Sequence, residues 1–154
     1  MQQYTNELTP EFIHNHQLTR ARQIAELPEE FRATQEEQNS RKIIAIYRHA
    51  CEGALTRDGG VLQESPDSHS RMQFSDGTSR RYSLAGDKVV YPDGSTAKII
   101  SGTGKYFRHN GKSMALVGSH LDNGDIIIST PQNARLLLEF EDSPYGHDFL
   151  NPEA

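Results

Sequence analysis

The residues that could carry chemistry are few. Gly111-Lys112-Ser113 ends like a phosphate-binding loop, but that loop needs a glycine five residues before the lysine's own glycine, and position 106 is Tyr106. Asn110-Gly111, between Tyr106-Phe107 and Met114-Ala115-Leu116-Val117, reads instead as a hairpin turn. Gly102-Thr103-Gly104 lacks the third glycine and following helix of a dinucleotide fingerprint and reads as a turn or bulge. Seven histidines and many carboxylates supply hydrolase residue types, yet Gly-x-Ser-x-Gly, His-Glu-x-x-His and a Cys-His nucleophile motif are all missing. His14 and His16 lie two apart in a predicted helix and so point to different sides, as surface histidines do. His49 and Cys51 are two apart in a predicted strand and face one side. With His120 and one of His69 or His109 they could complete a tetrahedron of one cysteine and three histidines, or Cys51 is simply a small buried apolar group.

Composition narrows the classes further. Sixteen basic against 21 acidic residues, a net charge of −5, argue against general affinity for nucleic acid, which depends on neutralising phosphates. No run of 18 apolar residues exists, so no membrane-spanning helix and no stable membrane insertion are expected. The opening MQQYTNELTPEF has no basic stretch followed by an apolar one, so the expectation is a protein made in the cytoplasm without a signal peptide. A lone Cys51 allows no internal disulfide. The hydrophobic share is only 34%, so the core must be thin or completed by a partner.

Glycine divides the elements that must position these residues. None of the twelve precedes Gly53, and eleven lie between Gly53 and Gly124. Before that boundary, Thr9 and Pro10 occupy the cap and first turn of a helix carrying Phe12, Ile13, Ala21, Ile24 and Ala25, and Pro28 stops it near Leu27. Pro28-Glu29-Glu30 opens a second, short helix running towards Glu37. From Lys42 the pattern is extended. Ile43-Ile44-Ala45-Ile46-Tyr47, Gly60–Leu62, Arg81–Leu84, Lys88–Tyr91, Ala97–Ile100, Lys105–Phe107, Met114–Val117, Ile126–Ile128 and Leu136–Phe140 read as strands. Asp58-Gly59, Asp76-Gly77, Asp93-Gly94, Asn110-Gly111 and Asn123-Gly124 punctuate them as turns, because Asx and Gly tolerate positive φ. The fold class is mostly β, preceded by a helical extension, with a helical segment at 1–41, a β domain at 42–140 and a tail at 141–154.

The turns repeat. Gly53, Gly86 and Gly118 are followed by Gly59, Gly94 and Gly124, each directly after Asp58, Asp93 or Asn123, and the linking segments RRYSLAG and KSMALVG match each other. One unit used nearly three times implies pseudo-threefold symmetry.

LAGDKVVYPDGSTAKIISGTGKYFRHNGKSMALVGSHLDNGDIIIS, from Leu84 to Ser129, resembles the second half of the proline-alanine-alanine-arginine repeat (PAAR) family, spike-tip proteins of type VI secretion systems and related contractile phage-like machines. EGALTRDGGVL, from Glu52 to Leu62, resembles that family's opening turn, and the likeness covers residues 43–132. The resemblance implies a small conical β-fold whose base docks on a homotrimeric valine-glycine-repeat spike and whose apex consists of turns, here Asp58-Gly59-Gly60, Asp93-Gly94 and Asn123-Gly124. It implies a structural, non-enzymatic protein, exported or injected as part of a contractile spike, with residues 1–45 as a surface for an effector or adaptor. An alternative is an effector whose extension or tail carries a toxic or enzymatic activity. The namesake tetrapeptide is absent, its places held by Ser79-Arg80-Arg81-Tyr82 and Ser113-Met114-Ala115-Leu116. Members commonly bind structural zinc near the apex through three His and one Cys. The matching turns here read Asp58, Asp93 and Asn123, with His120 outside the strict alignment, so that ligand set is not carried over. Ile126-Ile127-Ile128 and Leu136-Leu137-Leu138 are apolar on both strand faces and are the candidate surface for the spike.

Overall fold

The computed structural model describes residues 2–152. The described chain is mostly strand, with two helices. It forms two compact units, one from residues 7–46 and 138–144 and the other from residues 2–6, 47–137 and 145–152. These limits differ from 1–41, 42–140 and 141–154 because residues 2–6 and 145–152 each seat on the β unit: Tyr4 pairs with Thr130, and the Leu150 N–H donates to Gly102.

In the helical unit, α1 (Pro10–Ala25) starts where the sequence places it. Thr9 caps it, its Oγ1 accepting the Phe12 N–H at 3.0 Å, and Pro10 opens the first turn. Only Ile24 of this helix is buried. α2 (Glu29–Asn39) buries no residue at all and runs two residues past the expected end. It is held to α1 by polar pairs. Gln17 and Asn39 exchange amide-to-carbonyl bonds, and Arg20 donates to Gln35 at 3.0 Å. An eleven-residue helix without an apolar face is marginal in water.

The β unit is organised by a triangle of backbone hydrogen bonds. The Ala50 N–H donates to the Ala115 carbonyl (3.0 Å), Ala115 to Ser83 (2.9 Å) and Ser83 to Ala50 (3.0 Å). Three residues beyond each corner stands a glycine with φ between 89° and 103°: Gly53, Gly86 and Gly118. Their N–H groups close three hairpins on Leu62, Ile99 and Ile127, and those residues donate back to Ala54, Asp87 and Ser119. The hairpins pair with one another in a ring. β2 (Leu55–Thr56) turns into β3 (Val61–Leu62), which pairs with β6 (Lys88–Val90), which turns into β7 (Thr96–Lys98). Ile99 bridges to Leu121, and β10 (Ile127–Ser129) returns to β2. A closed ring leaves no bare edge for unwanted pairing.

The core inside is correspondingly thin, as the composition requires. Leu62, Ile99, Ile127, Val89, Val117 and Leu121 supply its bulk, and Ala50, Ala54, Ala97 and Ala115 fill the places where backbones approach.

Three arms extend from the ring, each starting nine residues after a core position: β4 (Arg71–Gln73) after Leu62, β8 (Arg108–His109) after Ile99 and β11 (Leu136–Phe140) after Ile127. β4 turns through Asp76-Gly77 into β5 (Ser79–Arg81), and β8 through Asn110-Gly111 into β9 (Lys112–Ser113). The third arm pairs β11 with β1 (Ile43–Arg48), from opposite ends of the chain, so the helices stand in the chain where the other arms have a short turn. Asn110 (φ 52°) and Gly111 (φ 74°) have the backbone of a tight hairpin, as the sequence indicates for this phosphate-loop look-alike.

Three strand assignments change, and two strands appear that were not expected. Lys105–Phe107 is a turn, and pairing starts at Arg108. The cause is Thr103, whose hydroxyl accepts the Met114 N–H at 2.9 Å and donates to the Phe107 carbonyl at 2.5 Å. The other arms make that link directly, Tyr82 to Ser70 and His49 to Arg135. Met114–Val117 makes single bridges rather than a strand, because its pairing switches within four residues from Leu84 at Met114 to His49 at Leu116. Arg81–Leu84 likewise divides into the end of β5 and bridges at Tyr82 and Leu84. β2 and β4 were hidden, the one too short and the other with Met72 as its only buried residue.

Candidate functional site

The three hairpins end in turns of one design. Gly59, Gly94 and Gly124 have φ of 93°, 87° and 87°, and each donates to the residue three before it: Thr56, Tyr91 and Leu121. The Asx residue before each glycine behaves differently. Asp93 Oδ1 accepts the Ser95 N–H and hydroxyl at 2.9 and 2.6 Å, and Asn123 Oδ1 accepts the Asp125 N–H at 3.0 Å. Asp58 pairs with Arg57 at 3.1 Å, whose guanidinium reaches across to the Gly124 carbonyl at 3.0 Å.

Asp125 ties these turns together. It is fully buried, and its Oδ2 accepts the Tyr91 hydroxyl at 2.5 Å. Oδ1 accepts the N–H groups of Ile126 (2.7 Å) and Asp58 (3.2 Å). Asn123 donates to the same Tyr91 oxygen at 2.9 Å, so the second hairpin is locked to the third, and Asp58 locks the first. Burial alone would raise the Asp125 pKa, but the hydroxyls of Thr56 and Tyr91 and the two backbone donors outweigh it and hold the carboxyl below its ordinary value. The expected apex turns are thus brought together, through residues the sequence reading passed over: Arg57, Tyr91 and Asp125. One signal was there to read. Asp125 follows a turn and immediately precedes three isoleucines, where a carboxylate is carried into the interior with the strand.

Gly60 completes the tip by its bareness. A Cβ there would lie 2.6 Å from Val89 Cγ1, 2.8 Å from Thr56 Oγ1 and 3.0 Å from Tyr91 Cε1. Gly60→Ala is expected to cost about 1–3 kcal/mol by overpacking, with thermal unfolding as the measurement. An unchanged midpoint would mean that the tip has slack.

The metal candidates do not assemble. His49 bridges Leu116 and is buried edge-on against Tyr82, ring centroids 5.0 Å apart. Cys51 bridges Tyr82, with its Sγ 3.7 Å from Thr130 Oγ1, and burial raises its pKa. His120 is half-buried opposite Ile126. His69 and His109 meet each other, the His69 N–H donating to His109 Nε2 at 3.0 Å. Among the described residues, no three His, Cys, Asp or Glu side chains are grouped to hold a metal ion. The hairpin tips, where the resemblance would put zinc, are joined by hydroxyls, amides and one carboxylate, a donor set without thiolate or imidazole that does not fit that metal.

Of the candidate contact residues, Ile127 is buried in the core, Ile126 is half-buried and Ile128 is exposed. The alternation of β10 explains it: residues 126 and 128 point away from the ring interior. Burial removes Ile127 from any contact surface. Leu136, Leu137 and Leu138 are all half-buried in β11. Among the described residues no helix is long and apolar enough to cross a membrane.

No family model matches the chain, and neither the curated proteins nor the solved structures contain a match to it.

Proposed function

We propose that the protein is a non-enzymatic spike tip of the PAAR kind, a small conical cap on a homotrimeric valine-glycine-repeat spike, injected with it into a target envelope. The observation that carries the reading is the Ala50–Ser83–Ala115 triangle with its three closed hairpins. A single chain with three near-equivalent segments offers similar contacts to three identical subunits. The three Asx-Gly turns, cross-tied through Asp125 and Tyr91, make a compact end suited to bearing load. The helical unit, whose α2 buries nothing of its own, is the surface offered to effector or adaptor cargo.

The test is the mass of the complex with the end fragment of a trimeric spike shaft. One tip per three shaft chains is expected. A tip that stays monomeric beside the shaft overturns the reading. Ile128→Asp should weaken that complex and leave the circular dichroism spectrum unchanged, whereas Ile127→Asp should unfold the β unit.

A further inference from the structure

The helical unit holds a cavity of about 250 Å³, room for about eight waters or one ligand of similar bulk. All of its walls belong to that unit: one face of α1, the end of α2, and residues of β1 and β11 with the approach to them. His16 and Arg20 are four apart on α1 and so share a face. Arg41 and Ile43 are two apart in sequence, as are Leu138 and Phe140 in β11, the spacing that turns strand residues to one side. The floor is apolar, with Ile43 buried and Leu138 and Phe140 half-buried.

The charge around that floor is one-sided. No carboxylate lines the cavity. Arg41 has a counter-ion outside the lining, Asp142 at 2.7 Å, and its guanidinium lies 4.1 Å over the Phe140 ring. Arg20 has no acidic partner among the described residues. It donates to two neutral amides, Gln23 Oε1 at 2.8 Å and Gln35 Oε1 at 3.0 Å, which leaves part of its five-donor fork unused. Burial and the charge of Arg20 hold the neighbouring His16 below its ordinary pKa, so the imidazole is neutral at pH 7 and keeps one N–H to donate. A guanidinium set in a partly enclosed apolar surround attracts an anion more strongly than one in open water does, and here the protein supplies no anion.

We propose that this cavity is a binding site for a small organic carboxylate bearing a ring or short alkyl group. The carboxylate takes the unused N–H groups of Arg20, a planar fork suited to two parallel bonds, with His16 and Gln38 as flanking donors. The apolar part lies on Ile43, Leu138 and Phe140. The apolar floor disfavours a bare inorganic anion, and the two guanidiniums disfavour a cation. The inference stands apart from the spike-tip reading and needs no shaft.

The experiment uses the full chain, isotope-labelled for amide spectra, with phenylacetate as probe and phenylacetamide, acetate and inorganic phosphate as controls. Saturable shifts at residues 16–20, 38–43 and 138–140 are expected, with a Kd at or below about 1 mM. Phenylacetamide, of the same shape without the charge, and acetate, with the charge but no ring, should each bind at least tenfold more weakly, and Arg20→Gln should weaken phenylacetate by at least tenfold. The control ligands are compared on the unaltered protein, so the result stands whether or not Arg20→Gln folds. No saturable shift with phenylacetate overturns the proposal. Equal binding of phenylacetamide does so too, since the cavity would then be an apolar hole, and equal or tighter binding of phosphate would reduce it to a patch of charge. Shifts confined to residues 102–113 would place the probe on Arg108 and Lys112 instead and overturn it as well.

Discussion

Asp125→Ala is expected to lower the stability of the β unit by about 3–5 kcal/mol, the loss of several charge-assisted bonds at a buried site, and its unfolding midpoint by roughly 10 °C. The carboxylate is fully buried and accepts from the Tyr91 hydroxyl and from the backbones of Asp58 and Ile126, which belong to different hairpins. Removing it leaves these three donors without their acceptor. Asp125→Asn keeps the shape but turns a donor group towards donors, so it should recover less than half the loss. Full recovery by asparagine would mean that charge plays no part in the tip.

The same residue makes a pH prediction with a definite sign. Asp125 has a folded pKa below its unfolded value, so its contribution is complete above about pH 4 and is lost as pH falls through the depressed folded value. His49 acts in a different window. Burial lowers its pKa from 6.5 to about 4, so the unfolded chain takes up a proton first, and stability falls as pH drops from about 6.5 towards 4. Chemical denaturation between pH 7 and 3 should therefore show two descending segments. Asp125→Asn should make only the lower one shallower, since Asp67, Asp76, Asp93 and Asp142 are also held below their ordinary values by their hydrogen-bond partners, and His49→Gln should flatten only the upper. A single segment abolished by either change would contradict the separate assignments.

What the sequence yields here follows from how local each feature is. The start of α1 was readable to the residue because Thr9 and Pro10 act within one turn, and the hairpin tips were readable because Asx-Gly pairs demand positive φ. The triple repeat was legible in Gly53, Gly86 and Gly118. What it builds was not, since the triangle joins Ala50, Ser83 and Ala115 across more than thirty residues each time, through backbone groups that any residue possesses. Three consecutive isoleucines suggested a two-faced strand, yet only Ile127 is in the core, because the ring buries one face and leaves Ile128 to solvent. Thr103 shows the same limit in reverse: one hydroxyl interposed between Met114 and Phe107 turned an apparent strand into a turn. The hub of the tip escaped for a related reason, since a lone aspartate after a turn reads as exposed until three hairpins close over it.

Gly102→Ala is expected to be more damaging than any turn-glycine change, costing upwards of about 3 kcal/mol. Its Cβ would be driven into the Met114 carbonyl oxygen, with the Met114 carbonyl carbon and Ser113 Oγ both at 2.8 Å. These are not side-chain ends that swing aside. The Met114 carbonyl accepts the Thr103 N–H at 2.9 Å, and Ser113 Oγ accepts the Gly104 N–H at 2.8 Å, so relief of the clash breaks the joint between the second arm and the triangle. The Gly102 carbonyl also holds Leu150, and moving it should release the segment 145–152. Gly77→Ala separates this steric effect from backbone strain: a Cβ at Gly77 meets nothing within 4 Å, but its φ is 87°, so that change should cost only about 1 kcal/mol. Thermal unfolding ranks the two variants, and limited proteolysis reads the tail. Equal costs, or a tail still protected in Gly102→Ala, would mean that arm and triangle can part without loss and that the close approach at Gly102 is incidental to the fold.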